Sequence, residues 1–318
     1  MELPAQLKAG VEAQAAGADR RAMAAISETL TLRYRGARSG ARLLTTADEA
    51  SVYSVVRMPA TYGAVRAALQ SALDVCDFRP RSLIDIGAGT GAATWAAESL
   101  LFLERVMLIE REDAMRALGR AYMQNGSDAL RDAAWIDADI ARDEIGATAD
   151  VVVASYALNE LSEDARMDAL DKLWRAAEGM LLIVEPGTPE GYRQLIAARA
   201  HLLKNGAHIV APCPHARECP MEGSDWCHFS VRIARGKLHK QLKGGDAPYE
   251  DEKFAYMAFS RAEGAPAPAR VLRHPRIEKG KVTLTLCGDG GIAERAYRKR
   301  DGEAYKRARK ADWGDAFE

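Results

Sequence analysis

The chain is predicted to be α/β: a Rossmann-like parallel sheet with a helical lead-in before it and a cysteine-rich insertion within it. Three observations predict this. From residue 81 onward, short apolar runs alternate with amphipathic stretches, the pattern of successive βαβ units. A glycine-rich turn, DIGAGTG, ends the first of those runs, where such folds bring the backbone close to a ligand. After the last amphipathic stretch, periodicity gives way to Pro, Gly and Cys over PCPHARECPMEGSDWCHF.

The elements follow in order. Residues 1–75 place apolar side chains at helical spacing, as in AAISETLTLRYR and VYSVVRMPATYGAVRAALQSAL, and read as a helical N-terminal region. Residues 76–205 carry the runs SLIDI, RVMLIE, AAWID, DVVVAS and GMLLIVE with helix-like stretches between them. This is the expected Rossmann-like core. Residues 206–250 are the cysteine-rich insertion, and residues 251–318 hold FAYMAFSR and KVTLTLC, read as the last two strands of the sheet, followed by a basic C-terminal segment.

Composition narrows the function classes. At 318 residues, 48% hydrophobic and 28% charged, the chain can bury a sizeable core. A formal net charge of -1 excludes a polycation, so any nucleic-acid surface must come from local clustering. The segment ERAYRKRDGEAYKRARK is such a cluster, with eight Lys or Arg against three acids and with Tyr297 and Tyr305 interleaved. It can neutralise phosphates and stack on unpaired bases, or it is an ordinary solvated helix. Arg232 and Arg235 are candidates to extend the same surface. There is no run of about 18 apolar residues and no secretory pattern at the N-terminus, so the expectation is a soluble, cytoplasmic protein without a membrane partner. Five cysteines are too few for a disulfide scaffold, which leaves thiols for metal or catalysis, with Cys76 as buried packing.

The ligand site is read from four strand ends. Ser82–Ile86 carries Asp85, and Gly87, Gly89 and Gly91 follow before a helix near Ala92. Glycine lets the chain turn sharply and approach a ligand with no Cβ in the way. An acid inside the strand before these glycines resembles motif I of class I S-adenosylmethionine methyltransferases, which implies that fold and that cofactor. Glu110 ends the next strand about 20 residues on, where a carboxylate accepts hydrogen bonds from ribose hydroxyls and disfavours a 2′-phosphate. Asp137 or Asp139, after the third strand, stands where such enzymes place an acid near the adenine amino group. The fourth strand leads to Ser155, Tyr156, Asn159 and Glu160, where many base-amine methyltransferases have Asn/Asp-Pro-Pro-aromatic. Ser155 joins the cofactor set. Tyr156 and Asn159 are the catalytic candidates, with a packed aromatic and a helix N-terminal Asn as the alternatives. Methyl transfer needs an in-line nucleophile and exclusion of water, so no single catalytic residue is obligatory.

Cys213, Cys219, Cys227 and Cys287 form a metal-binding set. Four thiolates complete either a tetrahedral zinc site or the corners of an iron-sulfur cubane. Five residues separate the first pair and seven the second, so the short CxxC hairpins of zinc ribbons are absent. His215 and His228 keep a mixed Cys/His zinc site open.

Together, DIGAGTG, ASYALNEL, VEPGTPEG, PCPHARECPM, WCHFSVR, EKFAYMAFSR and YKRARKADWGD closely resemble the methyltransferase-like family of the mitochondrial small ribosomal subunit and its bacterial relatives. The resemblance runs from about residue 30 to the C-terminus. It implies a class I methyltransferase fold, association with the small ribosomal subunit or its rRNA, and a 4Fe-4S cluster on Cys213, Cys219, Cys227 and Cys287. The function expected is a methyltransferase-like factor acting on rRNA or in subunit assembly. The alternatives are a non-catalytic rRNA-binding assembly factor and a small-molecule methyltransferase with a structural zinc.

Overall fold

The computed structural model describes residues 1–36 and 44–317. Four helices come first: α1 Ala5–Gln14, α2 Arg20–Gly36, α3 Ala47–Val56 and α4 Met58–Leu73. Helix α3 starts on a capping box, in which Glu49 N donates to Thr46 Oγ1 and the Glu49 carboxylate accepts from Thr46 N. Pro59 sits in the first turn of α4, where its missing N–H costs nothing.

The main sheet contains β1 Ser82–Ile86, β2 Arg105–Ile109, β3 Ala134–Ile136, β4 Ala149–Ser155, β5 Ala177–Pro186, β6 His208–Ala211, β7 Phe229–Ala234 and β8 Tyr249–Ser260. Strand order is β3-β2-β1-β4-β5-β8-β6, with β7 also paired to β8. The first five strands are mutually parallel, and β8 runs antiparallel to β5, β6 and β7. Helices α5 Ala92–Glu98, α6 Asp113–Met123, α7 Asp128–Arg131, α8 Glu163–Ala176 and α9 Pro189–Lys204 connect the strands, and α10 Lys237–Lys243 lies between β7 and β8.

The central strands are apolar on consecutive residues because both sheet faces are covered. In β4, Val151 and Val153 join the core on the side of α3–α6, while Val152 and Ala154 join the core on the side of α8 and α9. The order, with one antiparallel strand beyond a parallel set and helices on both faces, is that of the class I methyltransferases, the fold class predicted.

The chain after β8 departs from expectation. KVTLTLC does not enter the main sheet: as β11 (Lys281–Gly288) it forms the centre of a second sheet with β9 Ala269–Val271, β10 Arg276–Glu278, β12 Gly291–Arg298 and β13 Ala316–Phe317. The far side of β8 is already taken by β6 and β7, so no edge remains there for it. Its alternation also differs from the double-sided runs of β4 and β5. Val282, Leu284 and Leu286 face a small core with Tyr305 and Ala308 of α11 (Glu303–Lys310), while Thr283, Thr285 and Cys287 occupy the opposite face. The basic segment is therefore a strand followed by a helix. Tyr305 is buried under α11, and Tyr297 packs on Phe317 with ring centroids 5.4 Å apart. The Tyr305 ring is thereby withdrawn from stacking on a base, Tyr297 is half-buried, and the eight basic side chains between residues 295 and 310 are exposed.

Arg232 is exposed but held by Asp251 at 2.8 and 3.1 Å, and the Arg235 side chain is buried 3.9 Å from Glu250. Glu250 also meets His239 at 3.4 Å and Lys243 at 2.9 Å, tying α10 to β8. Partial burial raises its pKa, but hydrogen bonds from His239 and Lys243 outweigh this and bring it down to about 2. A depressed carboxylate stabilises above its unfolded pKa, and that contribution is lost as pH falls toward 2. Glu250→Gln is expected to lower stability at neutral pH by about 1 kcal/mol, a modest figure because the cluster is partly solvated, and to flatten the acid limb of a thermal-melt series.

Among the described residues, no helix is long and apolar enough to cross a membrane.

Candidate functional site

A cavity of about 1090 Å³ opens at the C-terminal ends of β1, β2 and β4, the crevice where open α/β sheets bind ligands. Gly87, Gly89, Glu110, Asp139, Ser155, Tyr156, Asn159 and Glu160 all line it. Four strand ends that the sequence singled out thus meet in one place. The remaining wall comes from α2, α3 and α10 through residues such as Thr31, Tyr53, Arg57 and Leu242. Nothing in the sequence marked these residues, since they lie far from the strand ends and belong to no local motif.

The glycine loop is held from both sides. Gly87 N and Ala88 N donate to Ile109 O at 2.9 and 3.1 Å. Gly87 has φ +64°, and a Cβ there would lie 2.8 Å from the Cβ of Ala157, on the turn after β4. Glu110 accepts from Gly89 N and Glu112 N, each at 2.8 Å. Burial pushes its pKa up, while these two backbone N–H groups act in the opposite direction. Each oxygen keeps a second lone pair for a ribose hydroxyl.

Not every candidate faces the cavity. Asp85 does not line it: fully buried, it accepts from Thr94 N at 3.1 Å and Thr94 Oγ1 at 2.8 Å, which braces α5, and its Oδ1 has no protein donor. Gly91 also lies off the lining and forms the left-handed start of α5. Of the two acids after β3, Asp137 is largely exposed and paired with Arg116 at 2.9 Å, whereas Asp139 reaches the cavity beside Arg111 at 3.4 Å.

Tyr156 is the one non-glycine residue with positive φ (+56°) among the described residues, a conformation that is costly for a bulky side chain and recurs at ligand sites. Its hydroxyl donates to Glu252 Oε1 at 3.0 Å. Burial and then the Glu252 charge raise its pKa well above the usual phenol value, so it is no base. Asn159 is turned to the buried Glu185, which also accepts from Leu158 N at 3.1 Å. The site is equipped to bind and orient a ligand.

Three carboxyl groups around this turn are shifted upward, each by burial first: Asp85 to about 7, Glu160 to about 7 and Glu185 to about 8. Glu160 weighs least, because 37% of its side chain is exposed. Raised acids favour the folded state below their unfolded values, and that stability is lost as pH rises through 7 and 8. The thermal midpoint is expected to be higher near about pH 6 than near about pH 8.5, and Glu185→Gln to reduce the slope between them. A flat profile across that range would contradict the burial argument.

The second feature is the cysteine cavity of about 30 Å³, lined by Cys213, Cys219, Cys227 and Cys287 together with Tyr192, His215 and Arg270. Cys213 follows β6, Cys219 and Cys227 lie on the loop into β7, and Cys287 comes from β11 of the second sheet. The four thiols therefore join the insertion to the second sheet, and not to the main sheet as the strand assignment of KVTLTLC implied. Tyr192 donates to Cys219 Sγ at 3.2 Å. Burial, and then the neighbouring thiols Cys213 and Cys219, push Cys287 up to about 12, while Cys227 rises well above its usual value for the same reasons. Among the described residues, no three His, Cys, Asp or Glu side chains are gathered tightly enough for a single metal ion. His215 lines the cavity with both ring nitrogens unpartnered, whereas His228 is stacked on Trp226 at 5.0 Å.

Comparison with known proteins gives the chain its kin. Over 265 residues it is 30% identical to the human mitochondrial ribosome assembly protein METTL17, covering 75% of this chain and 55% of the human protein. It is 26% identical over 215 residues to the fission yeast mitochondrial Rsm22-cox11 tandem protein 2, covering 52% of this chain and 29% of that protein. The chain thus spans about half the human relative's length and under a third of the yeast one's. Among solved structures, a putative RNA methyltransferase from Pyrococcus horikoshii aligns with TM-score 0.43 and 14% identity, covering 64% of this chain and 86% of that one. Magnesium protoporphyrin IX methyltransferase from Synechocystis, solved with S-adenosylmethionine, aligns with TM-score 0.43 and 12% identity, covering 78% and 99%. The family model described as mitochondrial small ribosomal subunit Rsm22 matches residues 47–318, and the chain belongs to that family.

Proposed function

We propose that this chain is a methyltransferase-like factor of the small ribosomal subunit. It holds S-adenosylmethionine in the large cavity and a 4Fe-4S cluster on Cys213, Cys219, Cys227 and Cys287, and it acts on rRNA or in subunit assembly. The observation that carries the reading is that two ligand sets, each dispersed in sequence, each line one cavity. In the first, Glu110 offers acceptors for ribose hydroxyls, Asp139 for the adenine amine, and Gly87 and Gly89 leave room for the backbone to approach. In the second, four soft thiol donors suit a metal centre. The same four thiols suit zinc as well; the cluster is the choice that the family resemblance favours. When bound, such a cluster supplies a rigid covalent hub or an electron store. The exposed arginines and lysines of β12 and α11 supply phosphate contacts for rRNA.

A second reading, a binding factor without catalysis, is favoured by the turn after β4. Tyr156 and Asn159 are committed to Glu252 and Glu185 and leave no obvious polar pair for a base amine.

Protein purified without oxygen and incubated with labelled S-adenosylmethionine and small subunits tests both. Methyl transfer to rRNA supports the enzyme reading; subunit binding without transfer supports the binding factor. Transfer to a small metabolite without subunit binding removes both. A colourless protein containing zinc would remove the cluster.

A further inference from the structure

Buried cations normally carry a carboxylate partner, because an unpaired charge in a low-dielectric interior is costly. Two of the deeply buried cations here follow that rule: Arg116 has Asp137 at 2.9 Å, and Lys172 has Asp168 at 3.2 Å. Arg199 and Arg270 do not. They are 5% and 2% exposed, and neither forms an ion pair with a carboxylate of the described residues.

Their hydrogen bonds go to neutral groups. Arg270 donates through Nε to Pro212 O at 3.0 Å and through Nη1 to Ser71 Oγ at 2.7 Å and Gly314 O at 3.0 Å. Arg199 donates through Nη2 to His215 O at 3.0 Å and to Arg217 O. Arg270 Nη2 and Arg199 Nε are buried without a partner.

Arg270 lines the cysteine cavity, and Arg199 holds the loop that carries Cys213 by donating to His215 O. Arg270 stands directly opposite Cys287 across the β9–β11 pairing and lines the cavity. Arg199 projects from α9, and both act electrostatically on the Cys213 thiol. The other arginines nearby have their own counter-ions: Arg273 is bound by Asp225 at 2.6 Å, and Arg217 by Asp289 at 2.8 Å. Neutral thiols alone would leave two positive charges buried and unbalanced.

We propose that Arg199 and Arg270 are the counter-charge built into the fold for a dianionic tetrathiolate group in the cysteine cavity. Four thiolates around a dicationic core, whether an oxidised 4Fe-4S cube or a zinc ion, sum to two negative charges, and the two guanidinium groups cancel them. For a cluster, one-electron reduction adds a third negative charge, so the arginines also set the reduction potential. The inference rests on the metal reading above and adds the residues that make that group's charge tolerable in a dry interior.

The test uses the full chain, reconstituted anaerobically with ferrous iron and sulfide, as wild type, Arg270→Gln, Arg270→Lys and Arg199→Gln. Cluster content is read from visible absorption, retention from the rate of loss to a chelator, and midpoint potential from spectroelectrochemistry. The Gln variants are expected to lose the cluster roughly tenfold faster, in the range seen for groups just outside a metal's ligands, and to shift the potential to more negative values. Arg270→Lys, which keeps the charge but loses the fork, is expected to stay near wild type in potential. If Arg270→Gln does not fold, Arg199→Gln, which leaves the Ser71 contact intact, decides the question. Gln variants that match wild type in both readouts, or an Arg270→Lys potential equal to that of Arg270→Gln, would overturn the proposal while leaving the cluster reading standing. A wild-type chain that takes up neither iron-sulfur nor zinc would remove both.

Discussion

With the proposed metal centre in place, Cys227→Ser is expected to abolish metal retention and to loosen two separate parts of the fold at once. Cys227 shares its cavity with Cys213, Cys219 and Cys287, which come from the insertion on one side and β11 on the other. A structural metal contributes folding free energy outright, and with three thiols the set is incomplete. Limited proteolysis should therefore speed up both within the loop from residue 212 to 228 and at the edges of the second sheet. Some tethering will remain, because Trp226 stacks on His228, His228 meets Trp313 edge-on at 5.0 Å, and Arg273 grips Asp225. Affinity for S-adenosylmethionine should change little, since no cysteine lines that cavity. A Cys227→Ser protein with wild-type metal content and an unchanged cleavage pattern would refute the role given to the thiols.

The second large effect is the reverse case. Gly87→Val places a β-branched residue at φ +64°, with a Cβ 2.8 Å from that of Ala157. Left-handed backbone strain of about 1–3 kcal/mol adds to the clash, and relief requires the glycine loop to move away from the Ser155–Asn159 turn. Both segments line the large cavity, where the donor is proposed to bind, so a calorimetric titration with S-adenosylmethionine should show affinity reduced at least about a hundredfold, a loss of about 2.7 kcal/mol. Metal content should be preserved. Gly87→Ala, with the same Cβ but less bulk, is expected to fall between. Wild-type affinity in the valine variant would mean that the donor, if it binds, sits elsewhere.

The two substitutions separate the functions because the cavities are separate, and that separation was not visible in the sequence. The cysteines were legible as a set from residue type, and three of them from proximity. That Cys287 comes from a second sheet was not, although the clue lies in β11 itself. Its alternation of Val282, Leu284 and Leu286 with Thr283 and Thr285 describes a strand with one apolar face, unlike the continuous runs of β4 and β5. Tyr305 in the basic segment looked available for RNA until α11 placed it over the small core. The charges survived as a surface; the Tyr305 ring did not.

Local chemistry sufficed for what is local. The double-sided apolar runs determined the parallel strands, the glycines after Asp85 determined the tight turn, and the spacing to Glu110 placed an acid beside it. Each rests on a period of two or on a backbone conformation that few residues adopt. What only the tertiary structure decided is which of several equivalent side chains faces inward: Asp139 and not Asp137, Glu110 in the cavity but Asp85 beneath α5, and Arg57 of the helical lead-in on its wall. Arg199 and Arg270 are the extreme case. In sequence they are two arginines among many, and their unpaired burial beside the thiols exists only once α9 and the second sheet have closed over the insertion, because compensation of a buried charge is a property of everything packed around it.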